Sequence, residues 1–105
     1  MNLTDMSKIA KSTSKLRNKF YTDSTEHTEL FFKDLAGEVI EATVAGIRYR
    51  DSDRTRGSKD KFAGELADII ITTMVIAARY DIDLEEAVTD KLAYNIERDN
   101  YKDCY

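Results

Sequence analysis

The chain has 105 residues, 42% hydrophobic and 34% charged, with no proline and four glycines; this is a globular composition with few breakers, which favours helices over a loop-rich β fold. Sixteen basic against twenty acidic residues give a net charge of −4, which argues against a nucleic-acid surface but not against a phosphate-bearing substrate, because a divalent cation reverses the local sign. A single cysteine, Cys104, excludes an intramolecular disulfide and suits a reducing cytoplasm, and no apolar run reaches membrane-spanning length.

One all-α domain of four helices is expected over residues 1–105. It divides into a basic N-terminal helix (1–22), a helical core (23–98) and a polar tail (99–105). From Met6 to Thr22 the chain carries Lys8, Lys11, Lys15, Arg17 and Lys19 and no acid. A transit peptide has this composition, but Met6, Ile9, Thr13, Leu16 and Phe20 also form one stripe of an amphipathic helix, the preferred reading. The second helix is expected from Asp23, spaced with Glu26 as a capping box. Leu30, Phe31, Leu35, Val39, Ile40 and Val44 recur along it at helical intervals, and the pattern fades at Gly46–Tyr49. A polar loop over Asp51–Gly57 follows.

Ser58 or Asp60 is expected to cap a third helix running to about Tyr80. The β-branched run Ile69–Thr73 would suit a strand, but its length and flanks favour helix. This segment is apolar on most sides and needs cover on most faces. In so short a chain, a second copy is the natural source of that cover. The fourth helix starts at Asp83, with Glu86 at capping-box spacing.

Two segments carry the chemistry. Glu38 and Glu41 lie three residues apart on one helix, and Glu65 and Asp68 three apart on the next. Such pairs share a face, about 5–6 Å apart at Cβ, and repel each other. A hard divalent cation turns that repulsion into coordination. Either pair alone fits a solvated helix face. Two pairs in apolar surroundings on consecutive helices fit a metal site inside a bundle better.

The order Glu-x-x-Glu, gap, Glu-x-x-Asp resembles the signature of MazG-like nucleotide pyrophosphohydrolases, members of the all-α NTP pyrophosphatase superfamily. The flanks Leu35-Ala36-Gly37-Glu38-Val39-Ile40-Glu41-Ala42 and Gly64-Glu65-Leu66-Ala67-Asp68-Ile69-Ile70 carry the likeness. So does the segment Asp81-Ile82-Asp83-Leu84-Glu85-Glu86-Ala87-Val88 followed by Lys91, Asn95 and Arg98. The resemblance implies a homodimer or dimer of dimers that cleaves a nucleoside triphosphate to monophosphate and pyrophosphate. It also implies that Glu38, Glu41, Glu65 and Asp68 are the catalytic and metal-binding residues, holding Mg²⁺ or Mn²⁺. Lys91, Asn95 and Arg98 would contact the substrate, with Lys61 a further candidate. One departure stands out: the first of two adjacent glutamates usual in the first motif is here Gly37. Superfamily members include all-α dUTPases and phosphoribosyl-ATP pyrophosphohydrolases; the Lys91, Asn95, Arg98 ending favours the MazG-like group.

Two other readings stay open, a nucleotide-sequestering helical oligomer without turnover and a structural helical dimer. Phe20, Tyr21, Phe31 and Phe32 could flank a base, though core packing is the better explanation of aromatics at helical spacing. Asp51–Phe62 is no EF-hand, because glycine falls at its seventh position and the twelfth is Phe62. The basic residues from Arg48 to Lys61 are offset by Asp51, Asp53 and Asp60 and read as a solvated loop. His27 lacks partners at zinc spacing. Cys104 lacks an adjacent base.

Overall fold

The computed structural model describes residues 2–16 and 25–99, arranged as α1 (Leu3–Leu16), α2 (Thr25–Asp51), α3 (Arg56–Arg79) and α4 (Leu84–Asp99). The expected positions Arg17, Lys19, Phe20, Tyr21, Asp23 and Cys104 lie outside the described residues. The four-helix, all-α reading holds, and Ile69–Thr73 is helical, with Thr73 Oγ1 donating to the Ile69 carbonyl at 2.8 Å.

α2 and α3 form the central hairpin and share the largest helix–helix contact. Contacts pair the start of α2 with the end of α3 (Phe31 with Tyr80) and the end of α2 with the start of α3 (Gly46 with Phe62), so the two run antiparallel. α2 does not fade at Gly46 but continues to Asp51. Gly46 allows the Phe62 ring to sit where a Cβ would be only 3.1 Å away, and Tyr49 packs on the same ring at 6.1 Å between centroids. This aromatic clamp holds the last turns in place. The link to α3 is therefore only Ser52–Thr55. It reverses through two consecutive left-handed residues, Asp53 (φ 57°) and Arg54 (φ 56°), a conformation that non-glycine residues visit rarely. So short a link leaves no calcium loop.

The cap of α3 is Thr55, not Ser58 or Asp60. Thr55 has extended backbone angles, and its side chain accepts from the Ser58 N–H at 3.4 Å. Ser58 instead turns its hydroxyl toward Ser52 and Thr55. α4 begins as expected: Asp83 Oδ1 accepts from the Glu86 N–H at 3.1 Å, satisfying one of the free donors of the first turn.

The core is small. Ala10, Phe31, Met74 and Val75 form its buried centre, flanked by Leu3, Met6, Ile76 and Leu84. Phe31 meets Tyr80 edge-on, and the Tyr80 hydroxyl pairs with Thr28. α1 lies along α3, and α4 touches α1 lightly, with Thr4 Oγ1 donating to Glu85 Oε2 at 3.0 Å. Much apolar surface stays uncovered. Ile40, Ile70, Ile82, Leu92 and Ile96 are each more than half exposed.

Candidate metal centre and nucleotide cavity

The carboxylate pairs come together because α2 and α3 are antiparallel. Each helix presents its acidic pair on the side turned toward α1. Single oxygens of Glu38, Glu65 and Asp68 all lie within 4.8 Å of one another. Glu65 is the deepest, only 6% exposed; Glu38 is half-buried and Asp68 exposed. The fourth expected acid, Glu41, is exposed and lines the same cavity as Glu38 and Asp68.

Among the described residues, Lys61 pairs with this cluster. Lys61, one turn before Glu65, places Nζ 2.6 Å from Glu65 Oε1. The Lys61 ammonium, hydrogen-bonded to Glu65, holds that carboxyl below the ordinary range, against the opposing effect of burial. In return Glu65 pushes the Lys61 ammonium upward, with smaller contributions from the Glu41 and Asp68 charges. The other Glu65 oxygen, Oε2, is buried without a hydrogen-bond partner. Leaving a charged acceptor so placed is costly unless something fills the position. The donor set is all oxygen, which suits Mg²⁺ or Mn²⁺ over soft metals.

Beside the cluster is a cavity of about 340 Å³ between α1, α2 and α3. Glu38, Glu41 and Asp68 form its acidic end, while Phe31, Ile71 and Val75 supply apolar wall. Gly37 also borders it, and a Cβ added there would meet nothing within 4 Å. The place where the resembled motif carries a further acid is therefore open space. Of the aromatics expected near a base, Phe31 borders this cavity but is also the largest fully buried core side chain. Phe32 points away, 52% exposed. Sequence reasoning passed over Thr13 and Ser14, which border the cavity from α1. Ser14 carries no signal that separates it from the other serines of α1, Ser7 and Ser12.

Lys91, Asn95 and Arg98 do not join this cavity within one chain. They lie on α4, where Lys91 Nζ is 4.6 Å and Arg98 Cζ 5.7 Å from the centre of the Tyr94 ring. Asn95 Oδ1 is buried without a hydrogen-bond partner.

The family profile of phosphoribosyl-ATP pyrophosphohydrolases matches residues 5–93, from α1 into α4. The chain belongs to that family, and through it to the all-α NTP pyrophosphatase superfamily. The matched span includes all four carboxylates and Lys91 but ends before Asn95 and Arg98. No curated protein and no solved structure matches the chain.

Proposed function

We propose that this member of the phosphoribosyl-ATP pyrophosphohydrolase family is a divalent-metal-dependent nucleotide pyrophosphohydrolase of the MazG-like kind, cleaving (d)NTP to (d)NMP and pyrophosphate. The observation that carries the reading is the deep placement of Glu65 beside Glu38 and Asp68, with one carboxylate oxygen buried and unmatched. A solvated helix face has no reason to bury an acid in this way.

Glu38, Glu65 and Asp68 would hold Mg²⁺, with Glu41 completing the set from the rim. Bound there, the cation supplies charge neutralisation for phosphate oxygens and an activated water. The residues of the chain provide the rest. Glu41, exposed and at the cavity's edge, is suited to accept the proton of the attacking water. Lys61 keeps Glu65 in place before a cation arrives. Its side chain is 69% exposed, so its ammonium is free to swing toward a phosphate once Glu65 is otherwise engaged.

The reading includes a second copy of the chain. Ile40, Leu66 and Ile70 are 65%, 46% and 52% exposed on the hairpin, and Leu92 and Ile96 are 59% and 52% exposed on α4. A second copy would cover these faces and allow Lys91, Asn95 and Arg98 to approach a cavity that their own chain does not bring to them. A cytoplasmic setting suits this activity.

The test is release of pyrophosphate from a panel of ribo- and deoxynucleoside triphosphates, with Mg²⁺ and with EDTA. Metal-dependent release of monophosphate and pyrophosphate is expected. Nucleotide binding without release would instead favour a sequestering oligomer, and neither binding nor release a structural one.

A further inference from the structure

Ser14 is the second buried polar group beside the cavity, and the metal cluster does not use it. Several other hydroxyls on these helices fold back onto their own backbone. Ser7 donates to the Leu3 carbonyl at 2.8 Å, Ser12 to Lys8 at 3.1 Å and Thr43 to Val39 at 2.9 Å. Ser14 is 7% exposed, yet its Oγ has no hydrogen-bond partner. It borders the cavity on the α1 side, together with Thr13, while Phe31, Ile71 and Val75 provide apolar surface and Glu38 and Asp68 stand at the acidic end. A cavity of about 340 Å³ lies within the size range of small-molecule sites.

We infer that Ser14 is a specificity-determining residue: its hydroxyl hydrogen-bonds the nucleoside of the substrate, which occupies the cavity between α1, α2 and α3 while the phosphates lie toward the carboxylates. The inference rests on the pyrophosphohydrolase reading and adds to it the position of the nucleoside. The open space at Gly37 belongs to the same arrangement, since an acid there would project into the volume that the nucleoside needs. A serine hydroxyl both donates and accepts, so it can pair with a base edge or with a sugar hydroxyl; the shared chemistry is a hydrogen-bonding group on the nucleoside.

The experiment compares kcat and KM of the wild type, Ser14→Ala and Ser14→Thr across triphosphates that differ in one feature at a time. One arm varies the base on a fixed ribose, and the other compares ribose with 2′-deoxyribose on a fixed base. For Ser14→Ala, KM is expected to rise about 10-fold for substrates carrying the recognised group, as for loss of one hydrogen bond, with kcat little changed. The Thr variant, which keeps the hydroxyl, restores the preference. Discrimination lost in the first arm assigns the contact to the base; discrimination lost in the second assigns it to the 2′-hydroxyl. Melting temperature supplies a separate readout. Removing a buried, unmatched hydroxyl leaves the ligand-free protein as stable as before or more so, whereas a serine with a purely structural role would destabilise it on removal. Kinetic constants that stay unchanged, or that shift equally for every substrate in the panel, overturn the inference while leaving the enzyme reading intact. A wild-type protein that neither cleaves nor binds any triphosphate overturns both.

Discussion

The two faces of the α2–α3 hairpin come from the same pair of helices and are opposite in character. Toward α1 the hairpin gathers Glu38, Glu65 and Asp68 and buries Glu65 to 6% exposure. On the other side Val39, Gly46, Ile47, Phe62 and Leu66 line a shallow apolar groove, and Ile40 and Ile70 stand more than half exposed. A hairpin stabilised only by its own hydrophobic contacts would have the reverse arrangement, with acids outside and isoleucines inside. On the function proposed above, the inversion is explained by what each face serves: a cation and its ligand on one, a second copy of the chain on the other. The small core of Ala10, Phe31, Met74 and Val75 holds the faces in register without covering either.

That contrast can be broken face by face. The largest effect is expected from placing a charge on the apolar side. Ile40→Asp or Ile70→Asp should turn the proposed oligomer into monomers, read by light scattering across a dilution series, and lower specific activity with it. A wild type that is monomeric at every concentration would remove the second copy from the account. Next in size is the response of the two helix-interior glycines of α2. At Gly46 a methyl group would press on the Phe62 ring at 3.1 Å, so Gly46→Ala should destabilise the protein by up to about 2 kcal/mol, the cost of overpacking less the gain in helix propensity. At Gly37 a Cβ meets nothing, so Gly37→Ala should stabilise it by about 0.8–1 kcal/mol through helix propensity alone. Denaturant unfolding of the two variants checks the opposite signs.

The smallest effect concerns Lys61. Glu65 is held below its ordinary value of 4.5 and Lys61 above its ordinary 10.5. The depressed Glu65 stabilises the fold above pH 4.5, and this contribution fades as pH falls through its lowered value. The raised Lys61 stabilises below pH 10.5, and this fades as pH climbs through its elevated value. In EDTA the wild type should therefore be more stable than Lys61→Met between roughly pH 5 and pH 10 and should converge on it at either extreme. The gap will be small, because Lys61 is 69% exposed and solvent screens such pairs. Unfolding curves at pH 3, 7 and 11 measure it.

The sequence made the four helices and the meeting of the carboxylate pairs legible, because helical spacing fixes which residues share a face and a short polar link forces consecutive helices to run antiparallel. Asp83 was readable as a cap for the same local reason. Thr55 was not, because Ser58 and Asp60 offer the same chemistry a few residues later, and only the backbone of the Ser52–Thr55 reversal decides between them. The end of α2 was misjudged at Gly46: a glycine reads as a helix breaker until the Phe62 ring packed against it is known. Ser14 was hidden because its burial depends on where α1 rests, a tertiary fact. The remoteness of Lys91, Asn95 and Arg98 from the cavity was equally hidden, since helical spacing places them on α4 but does not aim α4.

The central claim is that the acidic face is a metal site in which Glu65 is indispensable. It is tested most directly by titrating metal-free protein with Mn²⁺ and following the free ion by electron paramagnetic resonance, for the wild type, Glu65→Gln and Asp68→Asn. Saturable binding by the wild type, weakened at least about 100-fold in Glu65→Gln and Asp68→Asn as expected for lost direct ligands, is the result this account predicts. Absence of saturable binding in folded wild type, or equal binding in Glu65→Gln, would contradict it.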